Sequence, residues 1–164
     1  MPTNVSPTGL ARDLQARAAS NKPIRIGLVG SGEMGTDIVT QVAHMPGLAI
    51  GAISELRPAA AGKAVDIAYR EAGHWQEAKG ASAFNAIMEQ GKVAVTDDVN
   101  LLLESELIDV VIDATGVPAV GAEIGLRAME HGKHLVMMNV EADVTIGSAI
   151  RMTPKPNCWA WMQR

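Results

Sequence analysis

The sequence predicts an α/β fold in which a doubly wound parallel sheet is covered by helices on both faces. Short apolar runs of five or six residues alternate with longer segments of helical periodicity along most of the chain. The short runs are apolar at nearly every position, as expected for strands that are buried on both faces. This alternation indicates parallel strands joined by right-handed crossovers.

Composition excludes several classes of protein. The 164 residues are 48% hydrophobic and 20% charged, which suits one soluble domain. A net charge of −4, 3% aromatic residues and the lack of a dense Lys/Arg cluster argue against a nucleic-acid surface. The single cysteine, Cys158, rules out an intrachain disulfide, and the first 20 residues hold no continuous apolar stretch. We therefore expect a cytoplasmic protein with no membrane contact.

The first half of the chain contains two predicted strands and three predicted helices. Leu10, Leu14 and Ala18 recur at helical spacing and indicate a helix over residues 8–20, whose narrow apolar stripe packs against a larger body. The strands are residues 24–29 and 48–53, and the two further helices are residues 33–45 and 58–72.

The second half repeats this alternation after a less clear segment, residues 73–91, whose end is typical of a short helix closed by Gly91. The remaining predicted strands are residues 92–96, 109–114 and 134–138. The predicted helices between them are residues 99–106 and 117–131.

A glycine motif joins the first strand to the following helix. Residues 30–35 read Gly-Ser-Gly-Glu-Met-Gly, a GxGxxG pattern in the strand–turn–helix context of a Rossmann-type dinucleotide site. Gly30 permits the tight turn, Gly32 lets a pyrophosphate approach the backbone, and Gly35 lets the helix lie close to the strand. We expect the cofactor to contact this whole loop, Gly30, Ser31, Gly32, Glu33, Met34 and Gly35, although a structural turn without a ligand is the alternative.

The end of the second strand bears on the choice of cofactor. Glu55 lies 20 residues after Gly35, where an acid binds the ribose hydroxyls of NAD. Ser54 and Arg57 flank it and would suit the 2′-phosphate of NADP, although Arg57 is equally explained as a solvated loop cation. We predict NADP, with NAD as the alternative.

Two later segments also follow predicted strands, at the sheet edge where ligands bind. After the fourth strand, Ala114, Thr115 and Gly116 are expected to contact the ribose and nicotinamide, while Asp113 is expected to fix the strand end or loop. After the fifth strand come Asn139 and Glu141, for which we predict catalytic roles, with Asn139 also binding cofactor.

An equally good interpretation is that Glu141 and the neighbouring Asp143 solvate a loop or cap the next helix. Two acids do not make a metal site, so the sequence leaves a metal requirement open.

Three segments carry a resemblance to a known family. GLVGSGEMG, DVVIDATGVP and GKHLVMMNVEADVTIG resemble homoserine-dehydrogenase-like NAD(P) oxidoreductases, and most of all their deoxyxylulose-phosphate-reductoisomerase-like branch. The resemblance covers residues 8–147 and implies NADPH-linked reduction of a small phosphorylated or hydroxylated carbonyl compound, in the reductoisomerase case for isoprenoid precursors. Homoserine dehydrogenases usually carry lysine where this chain has Val140, which disfavours homoserine as the substrate. Sugar dehydrogenases of the Gfo/Idh type normally carry Glu-Lys-Pro here and rank lower.

The domain organisation expected from this resemblance is incomplete. We assign residues 1–21 to a helical extension, 22–147 to the dinucleotide-binding domain and 148–164 to an irregular tail. That tail holds two of three tryptophans and the only cysteine, and we interpret it as a truncated or frame-shifted end before the substrate domain. We expect cofactor binding with little turnover unless a homo-oligomer or a separate catalytic chain completes the site. A non-catalytic nucleotide-binding module is the alternative.

Overall fold

The computed structural model describes residues 8–152, which form a six-stranded sheet with seven helices. The strands are β1 (Ile24–Val29), β2 (Leu48–Ser54), β3 (Trp75–Glu77), β4 (Val93–Thr96), β5 (Val110–Asp113) and β6 (His134–Met137). The helices are α1 (Leu10–Ala19), α2 (Glu33–Val42), α3 (Pro58–Tyr69), α4 (Ala81–Glu89), α5 (Val99–Glu104), α6 (Pro118–Glu130) and α7 (Val140–Met152).

The strand order is β3-β4-β2-β1-β5-β6, and every neighbouring pair is parallel. From β1 the chain passes to β2 on one side and later returns to β5 on the other. The strand order therefore reverses between β1 and β5, and ligands bind at the carboxyl ends of the strands at such a reversal. The Rossmann-type doubly wound fold predicted from the sequence is confirmed.

Two hydrophobic layers enclose the sheet. On one face, Leu28 of β1 packs with Val39 of α2 and Val65 of α3. On the other face, Val29 belongs to the layer formed with α4, α5 and α6. Neighbouring residues of β1 thus supply opposite layers, because successive side chains of a strand point to opposite faces. This burial on both faces explains why the strands read as continuous apolar runs.

The structure adds one strand that the sequence analysis missed. β3 (Trp75–Glu77) lies in the segment that was unclear, and it pairs only with β4 at the edge of the sheet. Its three residues include the exposed Gln76 and Glu77, so it lacks the apolar run by which the other strands were recognised. The preceding helix ends at Tyr69, earlier than predicted, because Arg70 adopts a left-handed conformation with φ 57°.

The two ends of the described chain are helical. In the predicted N-terminal extension, α1 buries no side chain, so its packing against the body is slight. Residues 148–152, assigned from sequence to an irregular tail, continue α7. Residues 153–164 of that tail lie outside the described residues. Within residues 8–152, no helix is both long enough and apolar enough to cross a membrane.

Candidate cofactor site

The carboxyl edge of the sheet brings together the loops that follow β1, β2 and β5. The Gly30 N–H donates to the Ser54 carbonyl at 2.9 Å, and the Ala114 N–H donates to the Val29 carbonyl at 2.8 Å. These bonds continue the sheet ladder beyond the assigned strands. The loop after β1 is therefore fixed on both sides, at the reversal of strand order.

Two of the three motif glycines are required by the local backbone. Gly30 has φ +90°, and a Cβ there would lie 2.8 Å from the Ala114 carbonyl oxygen. A Cβ on Gly35 would collide with the carbonyl oxygen of Gly30. The sharp turn and the close approach of α2 to β1 thus depend on these two residues, as the sequence predicted.

Gly32 differs from both, because a Cβ at this position would meet nothing within 4 Å. It is the N-cap of α2, and within residues 8–152 no side chain caps this helix. Its φ of −64° is also accessible to other residues. Gly32 directly precedes the first-turn N–H groups of α2, which have no partner within the helix, and such groups bind anions well. Glu33 and Met34, also predicted to contact cofactor, are exposed beside it.

Glu55 is hydrogen-bonded to the glycine loop. Its Oε2 accepts from the Ser31 N–H at 2.9 Å and from the Ser31 hydroxyl at 3.0 Å, and its Oε1 accepts from the Arg57 N–H at 3.3 Å. Burial raises the pKa of this carboxyl, but the hydrogen bonds and the Arg57 charge outweigh burial and bring the pKa below 4.5. Glu55 is therefore an anion at neutral pH, beside the first turn of the motif.

The two residues predicted to bind a 2′-phosphate are placed differently. Ser54 is buried in β2, with 5% of its surface exposed. Arg57 is exposed at the N-cap of α3, and its guanidinium makes no hydrogen bond or ion pair with other residues of the described chain. Of this pair, only Arg57 is therefore accessible to a ligand.

The loop after β5 is held by a buried carboxylate. Asp113 Oδ1 accepts from the Thr115 N–H at 3.0 Å and from the Thr115 hydroxyl at 2.7 Å. The expectation that Asp113 fixes this loop is confirmed. Gly116 follows with φ +67° and is exposed, so at this position the loop presents its backbone to solvent.

The residues after β6 are arranged differently from the exposed polar cluster that the sequence suggested. Asn139 is 1% exposed, and its Oδ1 accepts from the Ala142 N–H at 3.2 Å, which caps α7. Glu141 is exposed in the first turn of α7, and Asp143 is half-buried there. The sequence also allowed Glu141 and Asp143 to cap the next helix, but Asn139 provides that cap. Asn139 is therefore closed off from solvent. The catalytic roles of Asn139 and Glu141 stay predictions.

Sequence reasoning missed Gly121, which lies under the ends of β5 and β6. A Cβ at this position would overlap Asp113 Oδ2 and lie 2.8 Å from Asn139 Nδ2. A signal was present, because Gly121, Ile124, Gly125 and Ala128 recur at helical spacing and form the buried face of α6.

Lys133 was also missed, and it lies at the opposite, amino edge of the sheet. Its Nζ donates to the Ser105 carbonyl at 2.6 Å and to the Ile108 carbonyl at 2.9 Å. Burial lowers the pKa of Lys133, and the negative charges of Asp109 and Glu106 oppose this. Its position assigns it to the connection between α5 and β5, away from the cofactor edge.

Metal binding finds no support in the described part of the chain. Within residues 8–152, no group of three or more His, Cys, Asp or Glu side chains is arranged to hold a metal ion.

The sequence matches a known family over most of its length. The family model for the homoserine dehydrogenase NAD-binding domain matches residues 30–151. A homoserine dehydrogenase from Methylobacillus glycogenes is 30% identical over 125 residues, which are 72% of this chain and 25% of the relative. The chain therefore spans about a quarter of the length of that curated relative.

Solved structures share the fold. A myo-inositol dehydrogenase from Lactobacillus casei, in complex with NAD(H) and myo-inositol, superposes with a TM-score of 0.56 at 19% identity, covering 79% of this chain and 32% of that one. A scyllo-inositol dehydrogenase from the same species, with bound NAD(H) and scyllo-inositol, gives 0.50 at 22% identity, covering 71% of this chain and 28% of that one.

Proposed function

Because this chain belongs to the homoserine dehydrogenase NAD-binding domain family, we propose that it is the cofactor-binding part of a dehydrogenase that uses NAD(H). The observation that carries the proposal is the open space over Gly32 at the uncapped N-terminus of α2. When bound, the nicotinamide accepts or delivers a hydride. The residues of this chain bind and orient the dinucleotide.

The pyrophosphate is assigned to the first turn of α2. Its charge is complementary to the N–H groups and to the positive end of the helix dipole. Gly32 leaves the backbone accessible there, while Gly30 and Gly35 keep the turn and the helix in place. Ala114 lies beside Gly30, and we expect Ala114 and Gly116 to line the path from this turn toward the nicotinamide.

We assign the adenine ribose to Glu55, and the preference to NAD(H) over NADP(H). An ionised carboxylate accepts hydrogen bonds from the two ribose hydroxyls and repels a 2′-phosphate. Ser54 and Arg57 together favour NADP when the sequence alone is considered. With Ser54 buried, Arg57 is the one residue of that pair still accessible to a 2′-phosphate, and its charge already acts on Glu55.

The substrate side of the proposal is more general. We propose a small hydroxylated compound or its carbonyl partner, with the exposed Glu141 at the start of α7 as the residue of this chain that contacts it. The relatives reported above support a homoserine-type or Gfo/Idh-type dehydrogenase. They do not support the prediction of a deoxyxylulose-phosphate reductoisomerase or a place in isoprenoid synthesis. Val140 stands where homoserine dehydrogenases usually carry lysine, so we propose a substrate other than homoserine.

The proposal is tested by fluorescence titration of the folded chain with NADH and, separately, with NADPH. We expect saturable binding of both, with the lower dissociation constant for NADH. Binding of neither by a folded protein would overturn the proposed function. Tighter binding of NADPH would overturn the assignment of Glu55 and restore the preference that Arg57 suggested.

A further inference from the structure

Two buried polar side chains from different strand ends meet at Gly121. Asp113 Oδ2 and Asn139 Nδ2 are both buried, and neither atom has a hydrogen-bond partner within the described residues. Both lie within 2.8 Å of the single position that a Cβ on residue 121 would occupy. One small volume, bounded by the first turn of α6, thus receives both atoms.

The two atoms are chemically complementary, since a carboxylate oxygen accepts and an amide nitrogen donates hydrogen bonds. Buried polar groups in folded proteins nearly always have a partner, so each of these atoms is the natural partner of the other. Rotation of the Asn139 amide or the Asp113 carboxylate would bring the two atoms into a hydrogen bond.

The other half of each side chain is bound to a different segment. Asp113 Oδ1 holds the N–H and hydroxyl of Thr115, on the loop after β5. Asn139 Oδ1 caps α7 by accepting from the Ala142 N–H. A hydrogen bond between Asp113 Oδ2 and Asn139 Nδ2 would therefore link the Thr115 loop to the first turn of α7.

We propose that Asp113 and Asn139 act together as positioning residues that fix the Thr115 loop relative to the start of α7. Gly121 is required because any larger side chain would fill the space in which the two meet. Neither residue needs to touch a ligand for this role. Its consequence for cofactor affinity rests on the proposed function, because the Thr115 loop borders the proposed cofactor crevice and Glu141 lies in the first turn of α7.

The experiment exchanges the two residues. Asp113→Asn places two donors face to face, and Asn139→Asp places two acceptors face to face. The double variant Asp113→Asn/Asn139→Asp restores one donor and one acceptor with their positions reversed. Asp98→Asn is the matched control, because Asp98 caps α5 through the Asn100 N–H at 2.9 Å and lies outside the pair.

The primary measurement is hydrogen exchange of the Thr115 and Ala142 amides in the cofactor-free protein. We expect Asp113→Asn to speed exchange at Ala142, Asn139→Asp to speed exchange at Thr115, and the double variant to return both toward wild type. Single variants that affect only their own neighbouring amide, or a double variant that does not recover, would overturn the coupling. If a single variant does not fold, a folded double variant supports the pair and an unfolded one overturns it.

The NADH dissociation constant is the second measurement, and it separates this inference from the proposed function. We expect each single variant to raise it about tenfold and the double variant to recover most of the loss. Failure of the wild type to bind NADH would count against the proposed function alone, because the exchange data still decide the coupling. Equal affinities in all four proteins would overturn the role of the pair in positioning the cofactor loop.

Discussion

Glu55 Oε2 accepts two hydrogen bonds from one residue, Ser31, through its N–H at 2.9 Å and its hydroxyl at 3.0 Å. The end of β2 is thereby tied to the second residue of the glycine motif. The Glu55 carboxylate thus holds the glycine loop in place and also puts a negative charge beside it. Substitutions at Glu55 are therefore expected to change both cofactor choice and stability.

Cofactor choice is expected to shift toward NADP(H) in Glu55→Gln. The amide removes the negative charge that opposes a 2′-phosphate and weakens the hydrogen bonds to the ribose hydroxyls. A hydrogen bond to a charged group contributes about 1.5–3 kcal/mol, so the NADH dissociation constant should rise about tenfold or more. Titration with both cofactors measures the change in their ratio.

The control for this comparison is Glu89→Gln, an exposed acid at the end of α4 in the second half of the chain. It changes the net charge equally and should leave the ratio of the two dissociation constants unchanged. An unchanged ratio in Glu55→Gln itself would show that this carboxylate does not contact the ribose.

Acid stability is also expected to depend on Glu55. Its pKa in the folded protein lies below the ordinary value of 4.5, so its contribution is fully present above that pH and is lost as the pH falls through the folded-state pKa. Unfolding at a series of pH values should show wild type losing its advantage over Glu55→Gln in this window. A stability difference that stays constant down to low pH would contradict the hydrogen-bonding role.

Substitutions of the motif glycines Gly35 and Gly32 are expected to have different effects on stability, because of these two only Gly35 is closely packed. A Cβ on Gly35 collides with the Gly30 carbonyl, so Gly35→Ala should lower the free energy of unfolding by about 1–3 kcal/mol. Gly32→Ala adds a methyl group to open space and should leave the free energy of unfolding within about 0.5 kcal/mol of wild type. Denaturant unfolding checks both values, and equal losses would contradict the difference in packing.

Substitution of Lys133 is expected to lower stability without changing cofactor affinity. Lys133→Met removes the donor to the Ser105 and Ile108 carbonyls and should cost about 1–3 kcal/mol of unfolding free energy. The NADH dissociation constant should stay within a factor of two, because the residue lies at the amino edge of the sheet. A folded variant with much weaker NADH binding would show that the two edges are coupled.

The fold could be predicted from sequence largely because the central strands are buried on both faces. Continuous apolar runs such as residues 24–29 then alternate with helical periodicity, and both signals are strong. β3 could not be predicted, because an edge strand of three residues, two of them polar and exposed, has neither signal. The start of α7 was hard to recognise because its cap, Asn139, was interpreted as a functional side chain.

The site could be predicted only in part, since a motif specifies backbone better than side-chain orientation. The roles of Gly30 and Gly35 followed from the GxGxxG pattern and its context. The burial of Ser54 and Asn139 depends on tertiary packing that their neighbours in sequence do not reveal. Helical spacing marks Gly121 as a buried position, but not its role, which depends on Asp113 and Asn139 reaching it from two other elements.

The central claim, that the space over Gly32 holds a dinucleotide pyrophosphate, is tested most directly by calorimetric titration of NADH into wild type and Gly32→Ala. The two proteins should unfold alike, while the added methyl group should weaken NADH binding by about tenfold or more, because it keeps the pyrophosphate from the first-turn N–H groups. Equal NADH affinity in two equally stable proteins would contradict the account and would leave the glycine motif as a turn without a ligand.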